Sequence, residues 1–254
     1  MNETSFSRVE SNASDLQLKN RVILEKLFKR FDGSDEELLT QFGLFIRSSY
    51  LVKFLVLDDL FRRILDLPGD IFEFGTRFGH NLVVFENLRS IYEPFNKTRR
   101  IVGFDTFEGY RGFSNKDRSG DVFSEGKYVT SDNYEAYLSE LLSVHERCNV
   151  LGHISGNHRL VKGDVCETAA QYFIEHPETT IALAYLDMGL YEPTRSALEA
   201  IKPHLIPGSV ILLDEFTWAE CPGEAIAFKE VFDRSEYKIE KCKLTPMRAI
   251  VTIN

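Results

Sequence analysis

The chain has 254 residues, with 30 Lys and Arg against 39 Asp and Glu and a formal net charge of −9. That length suits one substantial α/β domain with decorations and is short for two ordinary catalytic domains. The charge sets the surface against phosphate backbones, so nucleic acid is not an expected partner. The four cysteines, Cys148, Cys166, Cys221 and Cys242, lie far apart with no C-x-x-C pair, a pattern that predicts free thiols in a reducing, cytoplasmic setting. The first thirty residues carry no apolar leader, and no window approaches the roughly eighteen uncharged apolar residues of a spanning helix. A soluble protein without a membrane role is expected.

In chain order, residues 1–14 are polar and are expected to fray. Asp15 to Phe31 then places Leu24, Leu27, Phe28 and Phe31 at helical spacing among Lys and Arg, which predicts an amphipathic helix. A second helical region from Ser34 to Leu65 puts Leu57, Leu60, Phe61 and Ile64 on one stripe, with interruptions at Gly43 and Ser48-Ser49 and a stop at Pro68-Gly69. The apolar content of these helices suggests a homodimer or higher homo-oligomer.

Beyond Gly69 the pattern becomes short apolar runs separated by helices, the signature of βαβ units and a parallel sheet. The expected strands are Asp70 to Phe74, Ile101 to Asp105, Leu160 to Gly163, Ile181 to Asp187 and Val210 to Glu215. His80 to Tyr92 reads as a helix on that sheet. Pro193 stands where another helix begins, with Leu198, Ile201 and Leu205 inward, Pro203 as an early stop and Pro207-Gly208 as the end of the unit. Pro222 opens a helix with Ile226, Phe228 and Phe232. Two strands close the chain, Tyr237 to Lys241 and Arg248 to Ile253, around a turn at Thr245-Pro246. Residues 113–157 form an insertion whose second half, Asp132 to Arg147, reads as a capped helix, and an insertion at the carboxyl end of a sheet suits a substrate lid. The expected organisation is a helical extension or lid over residues 1–68 and a cofactor-binding domain over residues 69–254.

The sharpest motif is Glu73-Phe-Gly75-Thr-Arg-Phe-Gly79, which runs from the end of a strand into a helix. Small residues there let the backbone turn tightly against a ligand. A dinucleotide site would want G-x-G-x-x-G and no acid, so that a pyrophosphate could rest on the helix N-terminus. Glu73 would repel a pyrophosphate and attract the ammonium and sulfonium of S-adenosylmethionine. Asp105 ends the second strand, where an acid can take ribose hydroxyls; Asp164, after the third, either faces an adenine amino group or caps a helix. Arg77 and His80 beside the glycine turn are candidates for a cofactor carboxylate or an acceptor phosphate, with a structural ion pair as the alternative for Arg77. Tyr110-Arg111 and Lys127-Tyr128 are placed to receive a nucleotide diphosphate. His153 and His158 share a loop but lack a third metal ligand.

Gly103-Phe-Asp105-Thr-Phe-Glu-Gly109, Leu160-Val-Lys-Gly-Asp164, Ala184-Tyr-Leu-Asp187-Met-Gly-Leu-Tyr191-Glu-Pro-Thr194, Leu213-Asp214-Glu215 and Pro222-Gly-Glu224 together resemble the macrocin O-methyltransferase family. Within it, the enzymes acting on nucleotide-linked deoxysugars such as TDP-rhamnose are the nearest likeness. The resemblance runs from about Asp70 to the C-terminus. It implies a class I methyltransferase fold, Rossmann-like α/β, with a mostly parallel seven-stranded sheet and a C-terminal antiparallel hairpin. S-adenosylmethionine would be the donor and a sugar hydroxyl the acceptor. The implied cofactor contacts are Glu73, Gly75, Thr76, Arg77 and Asn81 at the first turn, then Asp105, Thr106 and Phe107. Gly163, Asp164, Val165, Asp187 and Tyr191 complete the set. Asp187, Asp214 and Glu215 match the positions that hold Mg²⁺ or a similar divalent cation in several members, and three carboxylates at neighbouring strand ends suit an oxygen-loving ion. Relatives commonly carry a second acid where this chain has Gly189, and many have Asp in place of Glu215. Asp187 is the expected base if no metal binds. Competing readings are a methyltransferase for a non-sugar small molecule and a cofactor-binding protein without transferase activity.

Overall fold

The computed structural model describes residues 13–96, 98–120, 123–149 and 157–254. The polar stretch before Ala13 and His153 lie outside the described residues. By internal contacts the chain divides into two units, Met1–Lys53 and Phe54–Asn254.

In the first unit, α1 (Asp15–Phe28) opens on a capping box in which Ser14 and Gln17 satisfy each other's backbone N–H groups. The same device, Ser34 with Glu37, opens α2 (Asp35–Thr40). A short 3₁₀ turn (Phe42–Phe45) brings the Phe45 ring edge-on to Phe28 and Phe31, with centroids 5.2 and 5.9 Å away. Gly43 falls in that turn, as its interruption of the helical pattern predicts. Helix α3 (Ser48–Arg63) spans the division between the units.

The larger unit is built on a seven-stranded sheet. Its elements are β1 (Asp70–Phe74), α4 (His80–Tyr92), β2 (Ile101–Asp105), α5 (Tyr134–Asn149), β3 (His158–Lys162), α6 (Val165–Glu175), β4 (Ile181–Leu186), α7 (Tyr191–Ile201), β5 (Leu205–Leu213), α8 (Gly223–Val231), β6 (Tyr237–Lys241) and β7 (Ala249–Ile253). The strand order is β3-β2-β1-β4-β5-β7-β6. The first five strands pair in parallel, while β7 runs antiparallel to β5 and to β6. This is the doubly wound sheet with a C-terminal hairpin that the sequence predicts. The chain reverses its direction of winding between β1 and β4, and open α/β sheets bind ligands beyond the strand ends at such a point.

Side chains alternate across the strands and so feed two cores. Phe72 and Phe74 of β1 pack with Phe104 and with residues of α6, α7 and α8. Ile71 faces the other way, with Leu57, Leu60, Phe61 and Ile64 of the α3 stripe and Leu82 and Phe85 of α4. A buried arginine closes the second layer. Arg99 is 3% exposed; its guanidinium pairs with Glu93 at 2.7 Å and donates to the backbone oxygens of Gly69 at 2.6 Å and Leu67 at 2.9 Å. It thereby satisfies carbonyls freed where the α3 segment ends.

Several boundaries move. The helix expected to run to Phe31 stops at Phe28. Strand β3 starts at His158, so that histidine opens a strand instead of sharing a loop. Leu205 begins β5 instead of extending α7, and Pro207-Gly208 lies inside that strand. Opposite β4 the register jumps from Ile181↔Leu205 to Leu183↔Val210, and Gly208 has φ +95°. The surplus residues bulge out there, where Pro has no ladder hydrogen bond to lose. Pro203 does end α7 early, in a 3₁₀ turn over Lys202–His204. Helix α6 is an element that the strand reading passed over, although Asp164 supplies its cap.

Removing Arg99 would strand a half-buried Glu93 and several carbonyls, a class of loss that costs up to about 3–5 kcal/mol. Arg99→Ala is therefore expected to lower the urea midpoint with the m-value unchanged, the shift multiplied by m giving a loss in that range; a loss below about 1 kcal/mol would mean that water replaces the guanidinium.

Candidate active site

At the end of β1 the backbone turns through Gly75, with φ +95°, and its N–H donates to Phe104 O at 2.9 Å. A Cβ there would lie 2.1 Å from the Asp187 carbonyl oxygen, so only glycine lets the turns after β1 and β4 touch. Arg77 follows with φ +48° and donates its N–H to Asp105 at 2.6 Å. The other Asp105 oxygen accepts the Phe107 N–H at 2.6 Å. Asp105 thus ties the end of β2 to the glycine turn. Burial raises its pKa, and these two N–H groups oppose the rise.

Glu73 is 1% exposed. One oxygen accepts from Asn81 Nδ2 at 2.7 Å, and the other is buried without a hydrogen bond of good geometry. The Thr76 hydroxyl lies near enough to favour the charged carboxylate without completing such a bond. Burial, and then the charge of Asp187, hold the Glu73 pKa well above the usual carboxylate range. An acid in that position gains from a cation beside it.

The remaining expected cofactor residues fall into two groups. Gly163 (φ +138°), Asp164 and buried Val165 stand at the end of β3, where Asp164 caps α6 by accepting the Cys166 N–H at 2.9 Å. Thr106 and Phe107 continue β2, and the Phe107 carbonyl is fixed by the Thr130 hydroxyl at 3.0 Å. Tyr191 is different. Its ring is 2% exposed in the α7–α8 core, and its hydroxyl donates to Glu230 at 2.5 Å. Its side chain is committed to packing.

Beyond β4 and β5, Asp187, Asp214 and Glu215 each offer a carboxylate oxygen within 4.8 Å of the others. Two residues that the sequence reading did not assign complete this centre. Arg248 donates to Asp214, which also accepts the Tyr185 hydroxyl at 2.6 Å. Glu224, fully buried in the first turn of α8, accepts the Glu215 N–H at 2.7 Å. Glu224 stood within the quoted Pro222-Gly-Glu224 motif, next to a predicted helix start; no comparable signal marks Arg248. One oxygen each of Glu215 and Glu224 is buried without a partner. Burial and the charge of Asp214 push both acids well above their ordinary pKa, and Asp187 adds to the push. Four carboxylates face one guanidinium, and such a donor set fits a divalent cation.

An aromatic wall stands beside the acids. Tyr110 packs against Phe123 and Tyr128, with centroids 5.6 and 5.2 Å away, and Phe123 meets Trp218 at 5.1 Å. The Arg77 guanidinium lies over the rings of Phe78 and Tyr128, at 4.5 and 4.6 Å. It has no ion pair among the described residues, so stacking replaces the structural pair considered for it. His80 meets Phe54 edge-on at 4.9 Å. Of the residues considered for a diphosphate, Arg111 is exposed and pairs with Glu108 at 2.7 Å. All four cysteines are free, with Cys221 and Cys242 buried. No helix among the described residues is long and apolar enough to cross a membrane.

Residues 72–216 match the family model described as a methyltransferase domain. The chain belongs to that methyltransferase family. No curated protein matches it. Among solved structures, the crystal structure of CalS11, a calicheamicin methyltransferase, is 39% identical, covers 99% of this chain and 98% of its own, and superposes with a TM-score of 0.90. An apo structure of CalS11, described as a TDP-rhamnose 3'-O-methyltransferase in calicheamicin biosynthesis, is 38% identical over 96% of this chain and 97% of its own, with a TM-score of 0.83. The O-methyltransferase NovP, at 16% identity over 80% and 79% of the two chains and a TM-score of 0.61, shares the fold. The expected class I fold and family are borne out, and the chain is an S-adenosylmethionine-dependent O-methyltransferase.

The acid centre has a consequence for stability. A carboxyl whose pKa is raised by folding stabilises the native state at low pH and loses that contribution as pH rises from its ordinary value of 4.5 through the raised one. Glu215→Gln is expected to raise the thermal midpoint in chelator-treated buffer at pH 8 by several degrees, with a smaller gain at pH 5. An equal or larger gain at pH 5 would mean that folding does not raise the Glu215 pKa.

Proposed function

We propose that this enzyme methylates a hydroxyl of a nucleotide-linked deoxysugar, with Asp187 taking the proton and with Asp187, Asp214 and Glu215 as the residues that would hold a divalent cation. The observation that carries the reading is the juxtaposition at Gly75, where the donor turn and the acid centre share one backbone contact. The sugar class is supported by the near full-length likeness to a TDP-rhamnose 3'-O-methyltransferase.

S-adenosylmethionine supplies a methyl group on a positively charged sulfur. Glu73, with its unpartnered oxygen, provides negative charge for the ammonium and sulfonium of the donor, and Asp105 retains lone pairs for the ribose hydroxyls. Asp164 and Val165 border the base. The Asp187 backbone abuts the donor turn at Gly75 and its carboxylate lies within 4.8 Å of those of Asp214 and Glu215, which supports Asp187 as the proton acceptor. Asp187 would accept the proton of the hydroxyl that takes the methyl group. A divalent cation held by the three acids would lower the pKa of the bound hydroxyl. Arg248 and Tyr185 fix Asp214, and Glu224 fixes the backbone of Glu215, so the centre is held rigid in advance.

TDP- and GDP-linked deoxysugars offered beside phenolic acceptors decide the acceptor class. Methylation of a nucleotide sugar is expected, and transfer to phenols alone would remove the sugar reading. Asp187→Asn is expected to lower kcat about 100-fold or more while S-adenosylhomocysteine still binds in calorimetry. Exhaustive chelation is expected to lower turnover; full activity after it would leave Asp187 as a base that needs no metal.

A further inference from the structure

The acid centre presents a one-sided chemistry. Its carboxylate oxygens are rich in lone pairs, and Arg248, the guanidinium bound within the cluster, directs its Nε–H to Asp214. The Cys221 thiol is also spent, on Gly189 O at 2.9 Å. Tyr110 offers a donor from the opposite wall.

Gly189 lies two residues beyond Asp187 in a left-handed conformation, φ +67°. A Cβ on it would meet Cys221 Sγ at 2.9 Å and come 3.6 Å from the Tyr110 hydroxyl oxygen. That hydroxyl therefore stands over the turn that carries Asp187, in space that glycine leaves open. Its place is fixed from behind. The Tyr110 N–H donates to Lys127 O and the Gly126 N–H to Tyr110 O, each at 2.9 Å. Gly109 permits this clasp, because a Cβ there would lie 2.3 Å from Lys127 O. Phe113, Phe123 and Tyr128 hold the ring at centroid distances of 6.3, 5.6 and 5.2 Å. Among the described residues the hydroxyl makes no hydrogen bond, so its proton is available to a ligand.

We propose that Tyr110 donates a hydrogen bond to the hydroxyl next to the one being methylated, so that the acceptor is recognised as a vicinal diol. The inference rests on the acid centre being where the reacting oxygen lies. One hydroxyl of the diol faces the carboxylates, which accept; its neighbour faces the phenol, which donates. A lone hydroxyl would leave Tyr110 unpaired beneath the bound acceptor, and a donor covered without a partner carries a penalty.

The test is a double-mutant cycle on kcat/KM, with wild type and Tyr110→Phe each assayed on the nucleotide sugar that the wild type methylates and on its analogue lacking the neighbouring hydroxyl. Either change alone is expected to lower kcat/KM about tenfold, and both together no further, with S-adenosylhomocysteine affinity unchanged. Multiplicative losses, or a Phe variant as active as the wild type, would overturn the proposal. Loss of cofactor affinity in the variant would show Tyr110 to be a packing residue and would overturn it too. If the wild type methylates no sugar, the acceptor reading above fails, and the same cycle on catechol against phenol still decides the role of Tyr110. Transfer to no diol of either kind would end both.

Discussion

Two strand-end turns touch through their backbones, and the site follows from that contact. Gly75 has no room for a side chain because the Asp187 carbonyl stands where one would begin. The approach is set by the parallel pairing of β1 with β4, in which the Asp187 N–H donates to Phe74 O at 2.9 Å. Through it Glu73 feels the charge of Asp187, and the donor turn lies next to the acids that would serve the acceptor. A methyl transfer requires sulfur, carbon and oxygen in line within a few ångströms, so the distance between these turns is a chemical requirement as well as a packing one.

The arrangement holds acids where an apolar core would be more stable. Glu73, Glu215 and Glu224 are buried, each with an oxygen that lacks a partner. Two aromatic-rich cores and buried arginines such as Arg99 offset that cost elsewhere in the fold. Sites prepared to receive charge commonly destabilise the empty protein in this way. Arg248, Tyr185 and the α8 N-terminus limit the motion that mutual repulsion would otherwise cause.

The segment between β2 and β3 gives the sheet its particular identity. Its aromatic residues meet Trp218 after β5, and Asp117 accepts the Tyr191 N–H at 2.8 Å at the start of α7. Loops of this kind choose the acceptor while the sheet supplies the chemistry.

The sequence by itself determined the sheet and the positions of the main acids. Central parallel strands are continuous apolar runs ended by glycine or acid, so β1 and β2 were legible to the residue, and Asp187, Asp214 and Glu215 follow from lying at strand ends. Strand β3 was harder, because at the sheet edge it is only partly buried and its apolar run is short. The bulge at Pro207-Gly208 was hidden because local turn chemistry there is overridden by pairing with β4. Only the tertiary structure decided that Arg248 and Glu224 join the acid centre, that Arg77 stacks between rings, that Tyr191 belongs to the core and that Tyr110 overhangs Gly189. Those residues come from separate helices, strands and loops, and no local periodicity encodes a meeting that exists only after two layers have packed on one sheet.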